Sequence, residues 1–175
     1  MGDFATVAEL ETFMGVSPLG ARGTAMLGYC SSAIRMECHQ DLEVTAGRQE
    51  SYAGDAWRDY LTVTQIPVTA VSAITVEAVA LTAFSWSRWG QVTKDDGTPW
   101  DTGPILVTYD SGYDPTSDEM IGIKTICLEA AARALGGNPQ TFGIETEELR
   151  GPSPAIFLTE EEKRFLGSFV NEALA

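Results

Sequence analysis

The side chains able to do chemistry in this 175-residue sequence are scattered rather than grouped. Its one histidine, His39, follows Cys38 at the end of a predicted helix. A metal site would need further His, Cys or carboxylate ligands at set spacings, which the neighbourhood lacks, so a capping or surface role suits His39 better. The acidic groups Asp95-Asp96, Glu147-Glu148 and Glu160 to Glu162 fall in a turn, a polar connection and a helix start, and none has calcium-loop spacing. There is no G-x-G-x-x-G, no Walker lysine motif and no G-x-S-x-G elbow. Hydroxyls are plentiful, but a hydroxyl without a base to activate it is no nucleophile. The expectation is a non-enzymatic chain with no catalytic residue, cofactor or metal. The aromatic cluster Trp86, Trp89, Trp100, Tyr109 and Tyr113 is the best candidate for a ligand surface, because exposed indoles stack on sugar rings. The favoured role for these rings is nonetheless the core of a small sheet, which has few other large side chains to fill it.

Composition narrows the partners. A net charge of -14 opposes nucleic-acid binding, which depends on Lys and Arg neutralising phosphates. Cys30, Cys38 and Cys127 are odd in number and unevenly spaced, and two fall on predicted helical core faces, which suits reduced thiols. No apolar run approaches the roughly 18 residues of a membrane span, and no basic, apolar signal opens the chain, so a soluble protein not exported by its own signal is expected. Met1-Gly2 with Thr6 matches the loose myristoylation pattern, but Thr6 and Glu9 are better explained as a T-x-x-E capping box.

The elements that must position these residues read as α+β: a multi-helix bundle with a small antiparallel β-sheet inserted between the second helix and a central buried helix. An extended C-terminal arm and a terminal helix follow. Helices are predicted over 6–14, with Val7, Leu10 and Phe13 or Met14 inward, and over 19–40, with Met26, Leu27, Cys30, Ala33 and Ile34 repeating at helical spacing. Alternating β-branched and aromatic runs place the β insertion at 43–113, with Val71–Val76 as an internal strand and Asp95-Asp96-Gly97 as a tight turn. Turn residues Ser111-Gly112 and Asp114-Pro115 then hand the last strand to a helix over 117–135. One face of that helix carries Met120, Ile123, Cys127, Ala130, Ala131 and Ala134. Another carries Ile121, Leu128, Ala132 and Leu135, so neighbours are expected all round it. Residues 1–140 form the main domain in this reading. Residues 141–175 form the arm and a helix opened by a second capping box, Thr159 with Glu162, with Phe165, Leu166, Phe169, Val170 and Ala173 on one face. That helix can fold back on its own domain or lie on a partner.

The order of these elements carries a resemblance. The P-V-T-A-V-S-A-I-T-V strand from Pro67, the W-S-R-W-G turn from Trp86 and the V-T-Y-D-S-G-Y-D-P junction from Val107, followed by an acid-capped, alanine-rich helix, recur in this order. The chain in this respect resembles the head-tail connector or adaptor (head completion) proteins of long-tailed double-stranded DNA bacteriophages, over roughly Thr6 to Val170. The resemblance implies a structural virion protein, assembled in the host cytoplasm, that forms a homo-oligomeric ring, usually of twelve copies. The ring docks beneath the portal protein, extends the DNA channel and meets a stopper or other neck or tail protein. DNA would pass through without specific binding, and acidic side chains facing the lumen would repel it, although acidity also serves plain solubility. Leu158, Phe165, Leu166, Phe169 and Val170 would touch the portal. The resemblance leaves another neck role open, stopper or tail terminator. From the residues alone, a carbohydrate-binding module using the tryptophans remains the alternative.

Overall fold

Each of the chain's two helix-opening T-x-x-E patterns folds locally as chemistry dictates. The computed structural model describes residues 2–54, 58–100, 103–136 and 158–170, and in it α1 (Val7–Met14) starts at Thr6, whose hydroxyl accepts from Glu9 N while the Glu9 carboxylate accepts from Thr6 N. Next come α2 (Gly20–Cys38), seven strands, α3 (Asp118–Gly136) and α4 (Glu160–Leu166), which runs into a 3₁₀ turn at Gly167–Phe169. The chain clusters into two units. A helical unit comprises Met1–Cys38 and Asp118–Val170, and a sheet unit takes in His39–Ser117.

In the helical unit α1, α2, α3 and α4 pack together. Their apolar stripes form its core: Leu10 from α1, Met26, Leu27, Cys30 and Ile34 from α2, and Met120, Ile123, Ile126, Cys127, Ala130 and Ala131 from α3. The buried face of α3 is thus the one its helical period marks out, with Ala134 half-buried at its end. Its second apolar face is not enclosed: Ile121 is exposed, and Leu128, Ala132 and Leu135 are half-buried. Phe13 likewise points outward from α1. A Lys124–Glu9 ion pair ties α3 to the first turn of α1.

The sheet unit holds two antiparallel sheets where the sequence suggested one. Strands β1 (Thr45–Ala53), β7 (Pro104–Ser111), β3 (Val68–Val76) and β4 (Val79–Leu81) form the first, in that order. The second sheet orders β2 (Tyr60–Thr62), β6 (Gln91–Lys94) and β5 (Phe84–Trp86). The split is non-local, since Leu61 pairs with Val92 across thirty residues of sequence. β3 is internal, between β7 and β4. β7 alternates cleanly, burying Ile105, Val107, Tyr109 and Ser111. One apolar cluster joins both sheets, with Leu61, Val63 and Val92 against Ile74, Ile105, Val107 and Tyr109, and Trp100 buried among them.

The strand-to-helix junction explains its own glycine. Gly112 sits at φ +109°, and a Cβ there would collide with the Glu43 backbone carbonyl. The approach is that close because Gly112 N donates to Pro67 O at 2.9 Å and Tyr113 N donates to Leu42 O at 2.9 Å.

Candidate functional site

The residues with a predicted contact role lie on α4 and the turn after it, and their placement follows from a short chain of interactions inside the helical unit. Thr159 caps α4: its hydroxyl accepts from Glu162 N at 3.2 Å, and Glu162 Oε2 accepts from Thr159 N at 2.6 Å. The same oxygen accepts from Arg133 Nη2 of α3 at 2.8 Å. Glu162 is only 7% exposed, and its second oxygen, Oε1, is buried with no hydrogen-bond partner. This pins the start of α4 to α3 in one register.

The apolar side chains complete the seat. Leu158, Leu166 and Phe169 are buried, Val170 is half-buried and Phe165 is 41% exposed. The tip of the Phe165 ring abuts Gly122 of α3, where a Cβ would come within 2.7 Å of its Cζ. The Phe165 and Phe169 rings stack at 5.2 Å between centroids, tilted by 50°. The helix is therefore folded back on its own unit. Of the five residues expected at a portal contact, three serve as internal anchors, and Phe165 with part of Val170 reaches the surface. The expected arm at 141–157, and Ala173, lie outside the described residues.

The aromatic cluster divides. Trp100, Tyr109 and Tyr113 are core, whereas Trp86 is 39% and Trp89 64% exposed. Trp100 packs beneath the Lys94 ammonium, 5.6 Å from the ring centroid. Trp89 sits in a tight turn held by Ser87 N donating to Gln91 O at 2.8 Å and Val68 N donating to Arg88 O at 2.9 Å.

The densest polar group escaped sequence reasoning. The Glu50 carboxylate of β1 accepts from the Tyr52, Thr64 and Tyr109 hydroxyls, and from Thr64 N at 3.0 Å. Burial pushes its pKa up, but the donated hydrogen bonds outweigh burial and hold it below the usual range. Burial and the adjoining carboxylate push the Tyr52 and Tyr109 phenols up. A carboxylate that receives four hydrogen bonds in this way is a structural tie. The only sequence signal was an acid alternating with Tyr52 on a strand. The thiols are equally passive: burial raises Cys30 and Cys38 to about 12 and Cys127 to about 11. His39 is exposed, and among the described residues no three His, Cys, Asp or Glu side chains gather as a metal site.

No family model and no curated protein matches this sequence. Solved structures do match. A chain in the neck of an empty GTA particle, computed with C6 symmetry, superposes with a TM-score of 0.58 at 16% identity, covering 95% of this chain and 89% of that one. The fold is shared with a gene transfer agent neck. A chain in the neck of the native GTA particle, computed with C12 symmetry, gives 0.57 at 17% identity over 94% and 87%. The virion of the native gene transfer agent gives 0.57 at 16% over 95% and 89%. At the level of fold this agrees with the resemblance to head-tail connector proteins read from the sequence.

Proposed function

We propose that this protein is a structural subunit of the neck of a DNA-packed tailed particle, acting by shape and interface burial. Copies assemble head to tail into a ring, of twelve subunits in the simplest case, beneath the portal, and the ring carries the DNA channel toward a stopper or other neck protein. The observation that carries this reading is the fold likeness to neck chains over nearly their whole length and this chain's, in particles solved with C6 and C12 symmetry. DNA passes a channel of like charge without specific contact, given the chain's net charge of -14. The contact with the portal is assigned to the terminal segment, with Phe165 and Val170 at its surface and Leu158, Leu166 and Phe169 holding it in shape. Purified protein added to tailless, DNA-filled heads that lack it should add a ring of density at the portal vertex in electron micrographs. Phe165→Asp should weaken that binding, and because Phe165 also packs on Gly122 and Phe169, retained protection of the β7 amides is the check that the rest of the chain stays folded. Heads whose vertex stays bare would end the neck reading.

A further inference from the structure

We propose that the outer face of α3 pairs, parallel and in register, with the same face of a second copy of this chain. Ile121, Thr125, Leu128, Ala132 and Leu135 recur at alternating spacings of four and three, the 3.5-residue period of a coiled-coil seam. The run is free of charge and lies on the side of the helix away from its buried stripe of Met120, Ile123, Cys127 and Ala130. Ile121 is 53% exposed and Thr125 is exposed, with Leu128, Ala132 and Leu135 half-buried. The elements that hold α3 leave this face between them. Glu9 of α1 reaches Lys124 on one side, and Phe165 and Glu162 of α4 reach Gly122 and Arg133 on the other.

Charge decides what covers the face and in which direction. In heptad positions Ile121, Leu128 and Leu135 are d and Thr125 and Ala132 are a, which makes Lys124 g and Glu129 e. In a parallel, in-register pair each g residue lies beside the e residue five positions on in the other helix. Lys124 of each copy therefore meets Glu129 of the other, twice in one pair. An antiparallel pair sets g beside g and e beside e, and neither charge meets its opposite. Glu129 is exposed, and Lys124 is 38% exposed while holding Glu9, so the three protons of its ammonium serve both carboxylates. A β-branched threonine at a with leucines at d suits two strands. Five seam residues a side fall short of the about 20–30 of a standard interface, so the pair is weak and forms in concentrated free chain. It is argued from α3 alone and stands apart from the neck assignment.

Sedimentation of the intact chain at up to about 1 mM reads the pair. Wild type should dimerise, and Leu128→Asp, at the centre of the seam, should not. Glu129→Lys and Lys124→Glu each set like charges across the pair and should weaken association about tenfold. Mixed one to one they should regain it, because both contacts are then matched. The double variant K124E/E129K, matched across its own pair, should associate as the wild type does and controls for the lost Glu9 contact. A chain that stays monomeric at that concentration, or a dimer indifferent to Leu128→Asp and to the charge reversals, overturns the proposal. Thr125→Cys tests the geometry separately, by placing a thiol opposite its own copy at the seam. Mild oxidation at about pH 8 should link it into dimers about tenfold faster than Thr24→Cys, at an exposed site on α2, while the three native thiols stay buried. Equal rates overturn a parallel, in-register seam. A bare portal vertex alongside a paired free chain would end the neck reading and leave this one standing.

Discussion

Removing the Glu50 carboxylate should destabilise the sheet unit in a way that depends on pH. The group ties β1 to β7 through the Tyr109 hydroxyl and to the segment before β3 through Thr64. Tyr109 is fully buried, so in Glu50→Ala its hydroxyl proton loses its acceptor where water does not reach, a loss of about 1–3 kcal/mol. Thr64 and Tyr52 lie nearer solvent and together add about 1 kcal/mol. The sum, about 2–4 kcal/mol, corresponds to a fall in Tm of about 5–12 °C for a chain of this size. Glu50→Gln keeps the shape, its amide oxygen accepting from Thr64 N while its nitrogen faces the Thr64 and Tyr109 hydroxyls, which must turn to accept, and the loss of the charged acceptor should cost about 1–2 kcal/mol. Because the folded pKa of Glu50 lies below its ordinary 4.5, its contribution is fully present above pH 4.5 and is lost as pH falls through the folded value. Calorimetric melts of wild type and Glu50→Gln from pH 7 downward should show a Tm gap that is constant at first and closes in acid. The chain's pI of about 4.3 calls for dilute samples in that range. A gap that stays constant into acid, or no gap at pH 7, would refute the reasoning.

Three further outcomes can be checked directly. Gly112→Ala puts a Cβ into the Glu43 carbonyl at φ +109° and should cost more than about 1 kcal/mol, lowering the denaturation midpoint; an unchanged midpoint would contradict the junction geometry. Gly122→Val should displace the Phe165 ring, so that hydrogen exchange at Glu160–Leu166 accelerates about tenfold or more while the β7 amides keep their protection; equal protection of α4 in both proteins would deny the seat. With thiol pKa values near 11 to 12 and all three cysteines buried, a thiol reagent at pH 8 should react with none of them in the folded protein and with all three in denaturant; rapid labelling of the native chain would count against the packing of α2 on α3.

What could be read from the sequence was what is decided within a few residues. Both capping boxes and the apolar stripe of α3 follow from local spacing, and a turn at Ser111-Gly112 was legible as well, although the close approach of Glu43 that requires the glycine was not. The errors share the opposite cause. Periodicity shows that Ile121 and Leu128 are apolar, not whether anything covers them. Alternation finds β2 and β6 as strands, but the pairing of Leu61 with Val92 that puts them in a separate sheet depends on where distant segments return. The Glu50 tie joins positions 50, 52, 64 and 109, and nothing in a window of the sequence brings these together. For α4 the amphipathic face was legible and its destination was not. A stripe of Leu158, Leu166 and Phe169 fits an intramolecular seat and a partner's groove equally well, and the Phe165 ring over Gly122 decides for the seat.

The charge of the chain bears on how such copies can come together. With a net charge of -14, two copies repel at long range, so contacts between them cannot rest on a general attraction of surfaces. Over a Debye length of about 8 Å at physiological salt that repulsion is screened, and what remains is short-range burial. Large apolar side chains are left exposed in both units: Tyr29, Met36 and Ile121 in one, Val79 and Trp89 in the other. A stable contact takes about 800 Å² per partner. A ring subunit makes two, about 1,600 Å² of its 10429 Å² of surface. Exposed residues of this kind can serve as anchors for contacts of that size. For the ring proposed above, like-charged copies joined through such anchors would associate weakly when dilute and more firmly where a template gathers them.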